Sequence, residues 1–366
     1  MGDGGPSVSG GILIYRLYDV AWDIDLVKVE EKIREYRRQS IDRKRFSKAF
    51  EFANPPLSLR LRSFERNLDG RRYTVNTFAK AYDYGVLSII FEIPFREIAM
   101  AEFETLARSV DEPFKEDFPK EVDGLVRDIG EALNHVNRSR CEEDYIIYYI
   151  RETVPPLKSA GDLTRMCDVR GLLLYEEGES PPSEASKEEL RSYSFSYSER
   201  DLVVLSWDKA LVLEPGGSMD IPDLLEFANA QLLELRVYDD MLDKELDNIN
   251  ERIISQVSPS IWRIKGYEAL AARVMRTVMD LTRITERIDN SLKVTEDVYY
   301  ARVYSSALSL FKVQQWERSL ERKITIATRF YEMLYREISN KRTEILELII
   351  VILIVIEIVL FVVSKQ

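Results

Sequence analysis

Along its first 150 residues the chain alternates between two hydrophobic rhythms. Gly11–Ala21 (GILIYRLYDVA) is strand-like, whereas Asp25–Arg38 spaces Leu26, Val29, Ile33 and Tyr36 along one helix face. Leu57–Phe64 (LSLRLRSF) sets Leu57, Leu59 and Leu61 against Arg60 and Arg62, the alternation of a half-buried strand. Arg72–Tyr82 and Gly85–Ile93 are two more β-rich runs, the second ended by Pro94. Helical spacing returns over Arg96–Arg108 and Val122–Val136, and Asp144–Ile150 (DYIIYYI) is again strand-like. This order predicts an α+β head over residues 1–215, resembling a ferredoxin-like βαββαβ sandwich with an extra strand and helix. Glu176–Glu189 reads as an acidic, Pro/Ser-rich loop. Asp201–Trp207 and Ala210–Glu214 read as a hairpin around Asp208–Lys209, and Pro215-Gly216-Gly217 closes the domain.

Beyond that point the period is helical throughout. Residues 267–366 contain neither Gly nor Pro. Three heptad tracks cover a second domain at 222–344, with turns expected at Pro259 and Asp289–Ser291. Their seam includes Leu232, Leu235 and Leu242, then Val274, Val278 and Leu281, then Leu320, Ile324 and Leu334. Such spacing means packed helices in a left-handed geometry, either an antiparallel bundle within one chain or a coiled coil between subunits of a homo-oligomer. Residues 345–363 (ILELIIVILIVIEIVLFVV) are apolar except for Glu347 and Glu357. At 1.5 Å per residue the run is about 28 Å long, which predicts a single C-terminal transmembrane helix. Arg336, Lys341 and Arg342 precede it, so the expected arrangement is tail-anchored, single-pass in a lipid bilayer, with the bulk in the cytoplasm. Glu357, an ionisable group inside that span, becomes a functional candidate.

Composition narrows the chemistry. The 366 residues carry 51 Lys+Arg and 63 Asp+Glu, a net charge of −12, with one His and two Cys. Residues 28–72 alone hold 14 basic and 7 acidic side chains, so a +7 segment sits in a chain that is otherwise −19. Its densest part is Arg37, Arg38, Arg43, Lys44, Arg45 and Lys48, a patch suited to anionic lipid headgroups or RNA. Neither phosphate-cradling glycine motif is present. A nucleophilic triad would have to use His135, which the pattern places on a helix beside Asn134. Cys141 and Cys167 form no CxxC and are expected as free thiols. No cofactor is indicated. One acidic group remains: Asp239, Asp243 and Asp247 recur at i, i+4, i+8 on one helix face and are a weak candidate for a divalent cation. Asp239 also interrupts an apolar heptad track, where a polar side chain fixes register.

Two segments resemble the DUF155 (RMND1/Rmd1/YagE-like) family. One is the tail, with LEL at 346–348 and LIVIEI at 353–358, whose Leu353, Ile354, Ile356 and Glu357 match the family's terminal span. The other is AYDYGVLSIIF at 81–91, matched through Tyr82, Tyr84, Gly85 and Val86. The resemblance implies a C-terminally anchored, oligomeric membrane protein without known enzymatic activity, in a family associated with translation at membranes. The expected function is therefore a non-enzymatic scaffold or adaptor on the cytoplasmic face, with the translation machinery or anionic lipid as partner. The alternatives are a lipid- or RNA-binding module using residues 28–72, or a membrane-tethered carboxylate or metal enzyme.

Overall fold

A computed structural model describes residues 6–36, 50–52, 54–110, 112–136, 141–174, 188, 190–255, 268–279, 282, 292–294 and 297–364. The chain forms two compact units. The first comprises Met1–Val237 and Arg287–Gln314, the second Tyr238–Glu286 and Gln315–Gln366.

The first unit is built on a nine-stranded mixed sheet. Its strands are β1 (Ser7–Asp19), β4 (Leu57–Arg60), β5 (Phe64–Leu68), β6 (Arg71–Ala81), β7 (Val86–Ala99), β9 (Glu142–Val154), β10 (Ser194–Phe195), β11 (Leu202–Leu205) and β12 (Lys209–Leu213). They lie in the order β10-β11-β12-β9-β1-β7-β6-β4, with β5 also pairing β6. All neighbours are antiparallel except β12 and β9, which run parallel. Two short ladders complete the strands: β2 (Ala21–Ile24) pairs β8 (Leu133–Val136), and β3 (Phe50–Phe52) pairs β13 (Leu292–Val294).

Period-two alternation along the central strands gives the sheet two buried faces. One face presents Ile12, Ile14, Ile89, Phe91, Ile146 and Tyr148. It is covered by α1 (Leu26–Tyr36), α2 (Met100–Arg108), α3 (Asp117–Asp128), α4 (Ala160–Met166) and α5 (Val169–Leu174). Phe91 stacks on Phe118 of α3 with ring centroids 4.1 Å apart. The opposite face presents Leu13, Tyr15, Leu17, Tyr145, Ile147 and Tyr149. Here α6 (Asp220–Ser255) and α7 (Val298–Leu310) supply the cover: Phe227 meets Tyr82 and Tyr304, and Phe311, just past α7, meets Tyr145 edge-on. Helices on both sides of one sheet are what two apolar sheet faces require.

The second unit contains the rest of α6, a helical stretch at 268–279 and most of α8 (Val313–Ser364). Its core joins Leu270, Ala271 and Val274 to Ala327, Leu334 and Ile338, with Leu246, Val278, Phe330 and Tyr331 packed against it.

Several expectations need correction. The head is larger than a ferredoxin-like sandwich, because β10 to β12 extend the sheet beyond β9. Pro94 does not end β7. It lies beyond Glu92, the last residue that β6 pairs, so its missing N–H removes no bond to β6. The helix expected over Val122–Val136 stops at Asp128, and the chain turns through Gly130–Ala132 into β8. His135 therefore lies on an exposed strand with φ 52° rather than on a helix.

The transmembrane helix is not supported either. Among the described residues, no helix is long and apolar enough to cross a membrane. Residues 345–363 lie at the end of α8, and Glu347 and Glu357 interrupt them. The longest charge-free stretch between these carboxylates, 348–356, is nine residues. That is about 14 Å of helix, half of a hydrocarbon core. The single-pass, tail-anchored and membrane-localised expectations fall with it, as does an intramembrane role for Glu357.

Candidate functional site

The densest concentration of buried charge lies on the sheet face beneath α6. Sheet register sets out its floor. Arg60, Phe78, Ile90 and Tyr15 form one cross-strand row. Asn76, Glu92 and Leu13 form the row on one side, and Ser58, Lys80, Ser88 and Leu17 the row on the other. The first turns of α6 lay Asp223 and Glu226, spaced i, i+3, over the Lys80 row. The Lys80 ammonium lies 2.7 Å from Asp223 Oδ1 and 2.5 Å from Glu226 Oε2. The Glu226 side chain is wholly buried.

Burial alone would drive the Lys80 ammonium to lose its proton. The two carboxylates outweigh that effect and hold its pKa above the ordinary value. Glu226 is pushed up, chiefly by burial, with Lys80 opposing. The hydroxyls of Tyr15, Tyr82 and Tyr84 are raised well above 10.0 by burial and by the nearby carboxylates, so they remain hydrogen-bond donors. Asn76 donates to Glu92 Oε2 at 3.1 Å and Ser63 donates to Asn76 Oδ1 at 3.1 Å, which fixes the amide's orientation.

Further along the same face, burial raises the Glu143 carboxyl to about 7 against the pull of Arg236, to which it is ion-paired. Burial raises the Asp19 carboxyl to about 7 as well. Between the Lys80 and Glu92 rows a cavity of about 370 Å³ remains open, with Met219 and Asp223 on its α6 side. Tyr15 lines it while only 2% exposed, and its hydroxyl makes no hydrogen bond among the described residues.

The sequence-derived candidates lie elsewhere. Arg37, Arg38, Arg43, Lys44, Arg45 and Lys48 fall outside the described residues. In the second unit, Lys323 of α8 reaches Asp239 at 2.9 Å and Asp243 at 2.6 Å, and Ser319 donates to Asp239 at 2.9 Å. The ammonium thus occupies the place between these carboxylates, while Asp247 is exposed. Among the described residues no group of three or more His, Cys, Asp or Glu is placed to hold a metal ion. Of the seam positions, Leu232 and Leu235 are buried in the first unit. Leu242, Val274, Leu320 and Leu334 are buried in the second, where Val278 and Ile324 are half-buried. Leu281 falls outside the described residues. Neither cysteine is in a disulfide, and burial, with Glu104 and Asp168 nearby, pushes the Cys167 thiol up, away from reactivity.

Lys80, Asp223, Glu226 and Tyr15 were not singled out from sequence. The available signal was charge inside an apolar frame. Lys80 shares its strand face with Phe78 and Tyr82, and Asp223 and Glu226 alternate with Leu224, Leu225 and Phe227.

No solved structure matches this chain. Uncharacterized protein MJ0711 of Methanocaldococcus jannaschii is 28% identical over 243 residues, covering 63% of this chain and 70% of that protein. The family model described as Uncharacterized protein MJ0711, N-terminal domain, matches residues 9–220, a stretch that runs from within β1 past the end of β12. The matches do not bear on the DUF155 resemblance. Because the matched region exceeds half of the chain, this protein belongs to the MJ0711 N-terminal-domain family.

Proposed function

We propose that this protein is a scaffold rather than an enzyme, and that it assembles with further copies of itself through the apolar end of α8. The observation supporting this is the exposure of that segment. Fifteen large apolar side chains from Leu346 to Val363 are each between 46% and 64% exposed. Together they present on the order of 1,000 Å², more than the ~800 Å² each partner gives to a standard interface and beyond the largest patches of ordinary monomers. The heptad track through Leu320, Ala327 and Leu334 continues in register to Ile345, Leu348, Ile352 and Val355. A helix apolar on every side needs neighbours on every side, which favours a bundle of three or more copies over a two-stranded seam. Sedimentation of the full chain in detergent-free buffer should give a discrete assembly of at least three copies. Ile352→Glu with Val355→Glu should return it to the monomer mass. A monomeric parent, or a variant of unchanged mass, overturns the proposal.

A further inference from the structure

The cavity on the α6 side of the sheet has the makings of a ligand site independent of assembly. Its volume, about 370 Å³, lies at the lower end of the ~300–1,000 Å³ range of small-molecule sites. The floor is apolar, from Leu13, Phe78 and Ile90. At one end stands Glu92, which accepts a hydrogen bond from the Asn76 amide and has no ion-pair partner among the described residues. At the other end Lys80 is ion-paired with Asp223 and Glu226. Glu92 and Ser88, which pairs Lys80, are four residues apart on β7, a separation of roughly 13 Å along a strand. No single ion bridges such a gap, but a short molecule lying across the floor does. Tyr15 adds the second, independent sign: a hydroxyl on a side chain only 2% exposed, lining the cavity and unpaired among the described residues.

We propose that this cavity binds a small aliphatic molecule bearing a primary ammonium group. The ammonium donates to Glu92, the alkyl chain lies on Phe78 and Ile90, and the Tyr15 hydroxyl bonds a polar group along or beyond the chain. Arg60 lies over the Phe78 ring at 5.9 Å on the cavity's outer strand, where it closes the apolar floor.

The test is calorimetric titration of the full chain with 1,5-diaminopentane, and with glutarate as the anionic counterpart of similar length. Saturable diamine binding at millimolar or lower concentration, with glutarate inert, is expected. Glu92→Gln should weaken the diamine at least tenfold, and Tyr15→Phe several-fold. Glutarate binding as tightly as the diamine overturns the proposal, as does the absence of saturable diamine binding. Undiminished binding by Tyr15→Phe also overturns it, and that variant decides the matter should Glu92→Gln fail to fold.

Discussion

Lys80 shows how one buried cation organises the residues around it. It sits between a half-buried and a fully buried carboxylate, and removing it strands the Glu226 charge away from water. Lys80→Met should therefore lower the unfolding free energy by about 3–5 kcal/mol, read by urea denaturation. The double change Lys80→Met with Glu226→Leu should recover most of that loss. A small effect for the single variant would mean that water reaches Glu226. Asp19 makes a different prediction. Burial raises its carboxyl from 3.8 to about 7, so the folded protein keeps a proton that the unfolded chain releases near pH 4. The stabilisation is complete below about pH 4 and is lost as the pH climbs to 7, at up to about 1.4 kcal/mol per pH unit per group. Glu143, also raised to about 7, acts over the same window. Tm should fall as pH rises from 5 to 7, and Asp19→Asn should make that slope shallower. An unchanged slope would show that Asp19 is ionised in the fold. Neither residue was legible in the sequence as a buried acid, because burial is conferred by strands and helices distant along the chain. Asp239 stood out in the sequence as a carboxylate inside an apolar track, and it is ion-paired with Lys323.

At the scale of elements, alternation located most strands and failed where two patterns coincide. Leu57–Phe64 reads as one strand and is two, β4 and the start of β5, both pairing β6. Ile129 and Leu133 keep helical spacing after α3 has ended, so the turn into β8 is invisible to periodicity. Sheet order was not legible either, since β12 reaches β9 by a parallel crossover that local pattern does not encode. The turn between β6 and β7 was marked, by Tyr82, Tyr84 and Gly85. Both tyrosines are buried, and Gly85 adopts φ +104° with its oxygen accepting from Val20 N–H at 3.0 Å. A Cβ on Gly85 would lie 1.8 Å from the Ala21 oxygen. Gly85→Val should therefore cost about 2–5 kcal/mol through a disfavoured backbone region and a backbone collision. A variant as stable as the parent in thermal melts would show that the β2 segment moves freely.

The whole molecule has separate cores, one within each unit. Such an arrangement predicts two thermal transitions rather than one. Leu334→Ala, which empties a position only 2% exposed in the helical core, should lower one transition by the equivalent of about 2–5 kcal/mol and leave the other in place. A single transition that shifts as a whole would show that the cores unfold together. Two domains were expected from the change of rhythm near Pro215, and the helical period of the second was plain in the sequence. Its apolar end was equally plain, and so were Glu347 and Glu357, which divide it into stretches too short to span a bilayer.

The position of β1 at the middle of the sheet has a consequence for synthesis. It is made before both of its partners, and it pairs β7 on one side and β9 on the other. Between the end of β7 at Ala99 and the end of β9 at Val154 lie 55 residues. At roughly 5–20 residues per second, the nascent chain spends about 3–11 seconds with the second edge of its central strand unpaired. That edge is long and apolar, the kind that recruits a neighbouring chain. The interval in which this protein is most prone to join the wrong partner therefore comes during translation, before its own sheet is complete.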